Sequence, residues 1–143
     1  MWDSHQGFSF PEQMKFAIVV YGAPYSHQAP LSAFYFAKAV LDQGHKIYRV
    51  FFYHDGVYTG NEAIAPPQDE LDIRQMWSSL AAANQIELIV CIASALRRGV
   101  LDRTEADRYE KSNANLDSSF TISGLGQLID AGLNADRLVT FGA

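Results

Sequence analysis

Four short apolar runs, rich in β-branched and aromatic residues, constrain what this chain can fold into. Each has the length of a strand, and continuous apolar character is typical of strands covered on both faces of a sheet. They read KFAIVVY from Lys15, KIYRVFFY from Lys46, IELIVCI from Ile86 and DRLVTF from Asp136. Helical spacing of apolar residues between them predicts helices at 31–43, at 71–83 and after Ser123, which is the expected cap of the last helix.

The alternation of strands and helices predicts a single-domain α/β fold. Such a chain forms an open, mostly parallel sheet with helices on both faces, a three-layer arrangement of the doubly wound, Rossmann type. A length of 143 residues fits one such domain with one core. The chain shows no internal repeat, no low-complexity tract and no second domain.

Turn and cap residues mark the boundaries of these elements. Gly56, in the turn HDGV, is expected to adopt a positive backbone angle, and Gly99 is expected to end a short helical piece, ASALRR. Thr104 with Asp107 offers a cap for a further helical turn. The polar stretch KSNANLDSS, residues 111–119, predicts a mobile surface loop.

Composition and charge narrow the classes of function. A hydrophobic fraction of 48% and a charged fraction of 19% are those of a globular protein. The net charge of -5 disfavours direct binding to a nucleic acid, which needs a basic surface, so any role in RNA chemistry would act through partner proteins. No run approaches the ~20 apolar residues of a membrane helix, so no membrane association is expected.

The cysteine count indicates the cellular compartment, and the N-terminal sequence indicates where the functional domain begins. One cysteine cannot form an internal disulfide, so a reducing, cytoplasmic location is the default. The first residues, MWDSHQGFSFPEQ, have neither the basic start nor the apolar run of a signal peptide. We therefore expect residues 1–13 to be a disordered or appended leader, Met14 to be the natural start, and 14–143 to be the functional domain.

Function in a sheet of this type is expected beyond the carboxyl ends of the strands. Three segments meet this condition, namely 22–28, 54–61 and 91–98. The last begins at Cys91, where a strand run ends and a short helical piece follows. A thiolate is the reactive form of cysteine and is favoured by cations and helix N-termini, so Arg97 and Arg98 are candidates to stabilise the sulfur or to bind a partner. The alternative is that Cys91 is a small packing residue of the core.

Two histidines, His27 and His54, lie in the loops at the same end of the strands. As a pair they could bind a metal or shuttle protons, or each could be an ordinary polar loop residue. No spacing matches a zinc site, so neither a metal nor a cofactor is expected. The stretch SGLGQL from Ser123 lacks the full dinucleotide fingerprint and gives a nucleotide site only weak support.

A series of longer motifs extends from Met14 to Ala143. They are KFAIVVYGAPYSHQ, RVFFYHDGVY, PPQDE with a tryptophan after it, VCIASALRRGVLD, FTISGLGQLIDAGL and ADRLVTFG. In order and spacing they resemble the DsrE/TusD sulfur-relay family, whose small α/β fold agrees with the prediction above. The segment CIASALRRG is the specific one, because it carries the family's sulfur-accepting cysteine, and that role maps onto Cys91. Ala23 departs from the pattern, since relatives tend to have glycine there.

The resemblance implies a sulfurtransferase that accepts a persulfide sulfur on Cys91 and passes it to a cysteine of another protein. It also implies assembly with two homologous subunits, TusB/TusC- or DsrF/DsrH-like, in a heterohexamer. The implied donor is a TusA-like carrier and the implied acceptor a TusE- or DsrC-like protein, in tRNA wobble-uridine 2-thiolation or in dissimilatory sulfur oxidation. Further candidates to stabilise the sulfur or bind these partners are Tyr25, His27, Gln28 and His54.

Two other classes of function stay open at this stage. The chain could be a non-enzymatic scaffold subunit of a hetero-oligomer with an inert, buried Cys91, and its aromatic fraction of 13% suits a large interface. It could also bind a small molecule or a nucleotide at the same strand ends, by analogy with other folds of this type.

Overall fold

The computed structural model describes residues 12–143, so the expected leader lies almost wholly outside the described residues. The elements, in chain order, are β1 (Lys15–Val20), α1 (Ala29–Asp42), β2 (Lys46–Phe52), a 3₁₀ helix (His54–Gly60), α2 (Ile73–Asn84), β3 (Glu87–Cys91), α3 (Ile92–Arg97), α4 (Arg103–Arg108), β4 (Phe120–Ser123), α5 (Gly126–Asn134) and β5 (Arg137–Phe141). Within this range, no helix combines the length and the apolar character that crossing a bilayer requires.

The five strands form one sheet in the order β4-β3-β2-β1-β5, and all neighbouring pairs are parallel. The successive crossovers from β1 to β4 advance in one direction, and α1, α2 and α3 contribute buried residues to the same core on one face of the sheet. The last crossover returns past the whole sheet to the far side of β1, and α5 packs on the opposite face. The predicted α/β fold, with a parallel sheet flanked by helices, is confirmed.

The main core lies between the sheet and the helices α1 and α2. Its centre is Trp77, which is fully buried and whose indole N–H donates to the carbonyl oxygen of Pro30 at 3.0 Å. The rings of Phe34 and Phe52 each lie 5.6 Å from the Trp77 ring in edge-to-face arrangements, which are favourable for aromatic pairs. These three aromatic residues thus join the two helices to the sheet.

An irregularity in β2 sends a charged side chain to the second face of the sheet. The register of β2 against β1 shifts by one residue between Ile47 and Arg49. Ile47 and Val50 therefore both face the main core, whereas Arg49 and Phe51 face α5. This bulge is what places a guanidinium beneath α5.

The predicted final strand is present as β5, but β4 was missed and two helix caps were predicted wrongly. Ser123 is the final residue of the four-residue strand β4, and α5 begins after Leu125 without a side-chain cap. A strand as short as β4 shows too little alternation for recognition from the sequence. The cap of α4 is Asp102, which accepts from the backbone N–H of Glu105 at 2.8 Å, rather than Thr104.

The predicted loop at 111–119 is anchored to the body of the protein. The Asn115 side chain accepts from the N–H of Leu101 at 2.8 Å and donates to the carbonyl of Gly99 at 3.0 Å. Asp117 is buried, and its pKa is lowered, because hydrogen bonds from Ser119 and from Arg74 outweigh the opposing effect of burial. Hydrogen-bond partners that are distant in the chain cannot be identified from a local stretch of polar sequence, so the loop was predicted to be mobile.

Gly56 is needed for space and not for a positive backbone angle. Its φ is not positive, but a Cβ at this position would overlap the carbonyl oxygen of Val20. The positive φ in this turn belongs to His54, at 49°. Gly99 follows the C-cap of α3, as predicted for the residue that ends this helix, and its φ is 71°.

Gly56→Ala is expected to lower the free energy of unfolding by about 1–3 kcal/mol, because the overlap forces the 3₁₀ helix away from β1. Gly132→Ala is the control, since open space surrounds that position in α5 and alanine favours a helix, which should raise the free energy of unfolding by about 0.5–1 kcal/mol. Urea denaturation measures both. Equal stabilities of the two variants would contradict the close approach at Gly56.

Candidate functional site

The carboxyl ends of four adjacent strands meet in one row. In the parallel ladders, Val20 pairs with Phe52, and Phe52 pairs with Val90. Each of these residues faces the main core, so the residue that follows it faces α5. The resulting strand-end row consists of Tyr21, Tyr53, Cys91 and Ser123, the last two being paired in register.

Cys91 lies in this row but is closed off from solvent. It is the last residue of β3 and the residue that precedes the first turn of α3. Its exposed fraction is 2%, and it clusters with the buried side chains of Phe51 and Ile89. Tyr53 and Leu128, the latter on α5, pack against this cluster. The thiol thus sits where the topology places function, beneath a cover that includes α5.

Polar contacts from β2 hold α5 against the sheet. Arg49 is 6% exposed, and its guanidinium donates to the carbonyl of Gln127 at 2.9 Å and to the carboxylate of Asp130 at 2.8 Å. It also donates to Glu87 on β3 at 2.8 Å. The hydroxyl of Tyr48 donates to the same Asp130 carboxylate at 2.8 Å.

These contacts alter the titration of the groups involved. The hydrogen bond from the Tyr48 hydroxyl, followed by that from Arg49, lowers the pKa of Asp130, and the same hydrogen bond raises the pKa of Tyr48. A carboxylate whose pKa is lower in the folded state than in the unfolded state stabilises the fold above its unfolded pKa. That contribution is lost as the pH falls through the lowered pKa, so the attachment of α5 weakens in acid.

His54 is the predicted loop residue that the structure brings to the strand-end row. Its backbone N–H donates to the hydroxyl of Ser94 on α3 at 3.0 Å. Its exposed imidazole stacks on Tyr21 with ring centroids 5.5 Å apart, and it lies 4.3 Å from the ring of Tyr53, which packs against the Cys91 cluster. A titratable group is therefore held at the solvent edge of the row.

The two predicted arginines have different positions. Arg98 donates from Nε to the carboxylate of Asp55 at 2.7 Å and also to the carbonyl of Ser94 at 3.1 Å, so it ties α3 to the 3₁₀ helix. Its positive charge is compensated by that carboxylate. Arg97 is exposed and lines a separate cavity at the far end of α3.

The first loop forms a different cavity. Tyr25, His27 and Gln28 line a space of about 490 Å³ together with the residues that precede α2 and begin it. The Tyr25 hydroxyl donates to the carbonyl of Leu71 at 2.8 Å and accepts from the N–H of Ile73 at 3.3 Å. Tyr25 therefore secures the start of α2, whereas Gln28 is the N-cap residue of α1, and the thiol is not part of their cavity.

Several residues of this site were not predicted from the sequence, although local sequence features indicated some of them. Tyr21 and Tyr53 are the last residues of two apolar runs, so the strand-end rule already placed them beside the cysteine. Arg49 is a charge inside a strand run, and a buried charge requires a partner. The identity of that partner, Asp130, was not readable, because 81 residues separate the two. Within residues 12–143, no group of three His, Cys, Asp or Glu side chains is arranged to hold a metal ion.

The order of the sheet and the cysteine at the end of β3 define a small parallel α/β protein with a covered thiol. The DsrE/DsrF-like family matches residues 14–141. A protein of Allochromatium vinosum named "Putative sulfurtransferase DsrE" is 50% identical over 129 residues, which cover 90% of this chain and 99% of that protein. The crystal structure of the YchN protein of E. coli matches with a TM-score of 0.72 and 25% identity, covering 90% of this chain and 99% of that one. The chain belongs to the DsrE/DsrF-like family, as its motifs predicted.

Asp130→Asn is expected to raise the rate at which Cys91 reacts with iodoacetamide under native conditions by about threefold or more, because an amide accepts more weakly from Arg49 and Tyr48 than a carboxylate does. Local opening of α5 then becomes more frequent. Since the chain has one cysteine, every alkylated molecule reports on this site.

Asp42→Asn is the matched control, because it removes an exposed carboxylate that pairs with Lys38 at 3.8 Å on α1. Its alkylation rate should equal that of the wild type. If Asp130→Asn reacted at the control rate, the attachment of α5 would not govern access to the Cys91 thiol. The same conclusion would follow if a lower global stability, measured by urea denaturation, fully accounted for the faster alkylation.

Proposed function

We propose that this chain is a sulfurtransferase subunit that carries a transferable sulfur atom on Cys91. The observation that carries the proposal is the position of the single cysteine, at the carboxyl end of β3 and between Tyr53 and Ser123 in the strand-end row. In parallel sheets this edge is where ligands and reactive groups gather. The name of the relative from Allochromatium vinosum supports the same activity.

The transfer needs no external oxidant. The Cys91 thiolate attacks the terminal sulfur of a donor persulfide, the sulfur–sulfur bond of the donor breaks, and the donor leaves as a thiolate. The terminal sulfur is then bonded to Cys91 as a persulfide. An acceptor thiolate repeats the attack on that sulfur, becomes the persulfide itself, and leaves Cys91 as a thiolate.

His54 is the group best placed to exchange a proton with the incoming or leaving thiol. It is exposed at the edge of the row that contains Cys91, and histidine is a common proton shuttle in proteins. Arg98 supplies less than the sequence indicated, because Asp55 already compensates its charge. In this proposal Arg98 positions α3 and the 3₁₀ helix around the thiol.

The proposal requires α5 to move. The closed thiol is 2% exposed, so a visiting sulfur reaches it only when Leu128 is lifted from the cluster. α5 suits such a motion, because Ala131 is its one buried residue and much of its attachment is polar.

The outer side of α5 supports assembly with other chains. Leu125, Ile129 and Leu133 recur every four residues, and Ile129 and Leu133 are 64% and 80% exposed. Homologous subunits in a heterohexamer, as the family resemblance implied, would cover this stripe. Since the relative from Allochromatium vinosum is named DsrE, we favour a DsrE-like role over a TusD-like role in tRNA thiolation; the family resemblance associates the DsrE-like role with sulfur oxidation and a DsrC-like acceptor.

The second candidate is a scaffold subunit without catalytic activity. The low exposure of Cys91 favours it, since a core thiol can be merely a small apolar side chain. The two candidates differ in whether the native protein takes up sulfur.

Intact mass spectrometry after incubation with inorganic polysulfide is expected to show one added sulfur atom on the wild type and none on Cys91→Ser, because the reactive thiol is unique in the chain. Treatment with dithiothreitol should remove the added mass. If the wild type gains no sulfur although its thiol reacts normally after unfolding, the chain is a scaffold subunit and not a sulfurtransferase.

His54→Asn is expected to slow sulfur loading by about tenfold, because it removes the imidazole from the edge of the row. Asparagine tolerates the positive φ of this position, so the backbone should stay in place. His27→Asn is the control, as His27 lines the other cavity. Equal loading rates for the two variants would assign His54 no part in the transfer.

A further inference from the structure

A second concave surface lies at the far end of α3 from Cys91. It encloses about 630 Å³ between the end of α3, the end of α4 and the segment 111–113. Its lining, which we call the α3–α4 groove, comprises Leu96, Arg97, Gly99, Leu101, Tyr109 and residues 111–113. The volume is that of an ordinary binding cavity.

The walls of the α3–α4 groove are fixed by hydrogen bonds. Gly99 turns the chain away from α3 with a φ of 71°. The Asn115 side chain bridges Gly99 and Leu101, as described above, and holds that wall. The N–H of Lys111 donates to the carbonyl of Ala106 at 2.8 Å and holds the other wall. The groove is therefore preformed, which lowers the entropic cost of binding.

The charge of the groove is not compensated by the chain itself. Five cationic side chains occur from Arg97 to Lys111, and three of them have a carboxylate partner: Arg98 with Asp55, Arg103 with Asp107, and Arg108 with Glu105. Arg97 and Lys111 have none among residues 12–143, and both line the groove. Glu110 adjoins Lys111 in the chain but is not part of the lining. In a protein of net charge -5 this is a local positive site.

We propose that the α3–α4 groove binds a segment of a partner protein in which a large apolar side chain is flanked by carboxylates. Leu96, Leu101 and the Tyr109 ring offer an apolar floor, and the two cations offer a rim of matching charge. The partner class rests on the proposed function, since the protein that exchanges sulfur with Cys91 must dock beside α3. The six residues of α3 span about 9 Å, so a segment anchored here lies within a few residues of the strand-end row.

The openness of the site favours a protein segment over a small ligand. Tyr109 is 51% exposed, and Arg97 and Lys111 are exposed along the rim. Small-molecule sites bury most of the surface of their ligand. A segment of a folded partner loses little by extending out of the groove, because the rest of the partner adds contact area around it.

The test is fluorescence anisotropy with a fluorescein-labelled peptide, Asp-Glu-Leu-Phe-Glu-Asp, at low salt. The double variant Arg97→Glu with Lys111→Glu is expected to weaken binding by about tenfold or more, because the rim then repels the carboxylates. Arg137→Glu with Lys46→Glu, which changes the same residue types and the same net charge at exposed positions elsewhere, should bind as the wild type does.

A second pair of variants tests the apolar floor. Tyr109→Ser should weaken binding several-fold, whereas Tyr35→Ser, at a tyrosine that is 52% exposed on α1, should not. Both tyrosines are exposed, so neither change threatens the fold. The proposal is overturned if the charge reversals leave affinity unchanged, or if a peptide with two alanines in place of Leu-Phe binds equally well. Binding of octanoate without binding of the peptide would also overturn it, and would assign the groove to a small amphipathic carboxylate.

Failure of this proposal can be told apart from failure of the proposed function. Cys91→Ser should bind the peptide as the wild type does, since the thiol lies at the other end of α3. If Cys91 takes up no sulfur but the peptide binds, the proposed sulfurtransferase function is wrong. The groove is then a docking site for a partner with another activity. If loading holds and the peptide does not bind, only the groove is excluded.

Discussion

The buried guanidinium of Arg49 is the constraint on which the second face of the sheet depends. The return of the chain from β4 to β5 gives this face one helix of nine residues, about 14 Å long, against five strands that span about 19 Å. So thin a cover buries little apolar area. A buried charge without partners is strongly destabilising, and the partners of Arg49 come from α5 and from β3. Lifting α5 would replace two of its three acceptors with water, so the helix is held closed by hydrogen bonds to one buried charge more than by apolar burial.

This arrangement reconciles the burial of Cys91 with the chemistry that the family relationship suggests. A solvent-exposed persulfide would transfer its sulfur to any thiol in solution. A persulfide beneath α5 would react only with a partner that displaces this helix. The polar attachment of α5 is suited to such displacement, since exchanging hydrogen bonds for those of water costs less than exposing a large apolar surface. In the proposed mechanism, the element that closes the site is also the one whose outer stripe is free for another chain.

α3 joins the two halves of the proposed mechanism. At its beginning stands the thiol, and at its end begins the positively charged groove. Arg98, between them, pairs with Asp55 and so fixes the helix to the 3₁₀ helix that carries His54. The first loop, with Tyr25 and its neighbours, lines a separate cavity, where Tyr25 supports the start of α2. Docking and chemistry are thus linked through one short, well-fixed helix.

The sequence by itself determined the parallel α/β architecture, the placement of Cys91 at a strand end and the glycine that ends α3. These follow from local patterns, because the length and apolar character of a run specify a strand and a positive φ selects glycine. Only the tertiary structure decided that the thiol is covered, that Arg98 faces Asp55 and that Gly56 is required by the carbonyl of Val20. Each of these depends on groups that are distant in the chain and meet through strand register and packing. No local spacing encodes which partners a buried charge or a crowded backbone will find.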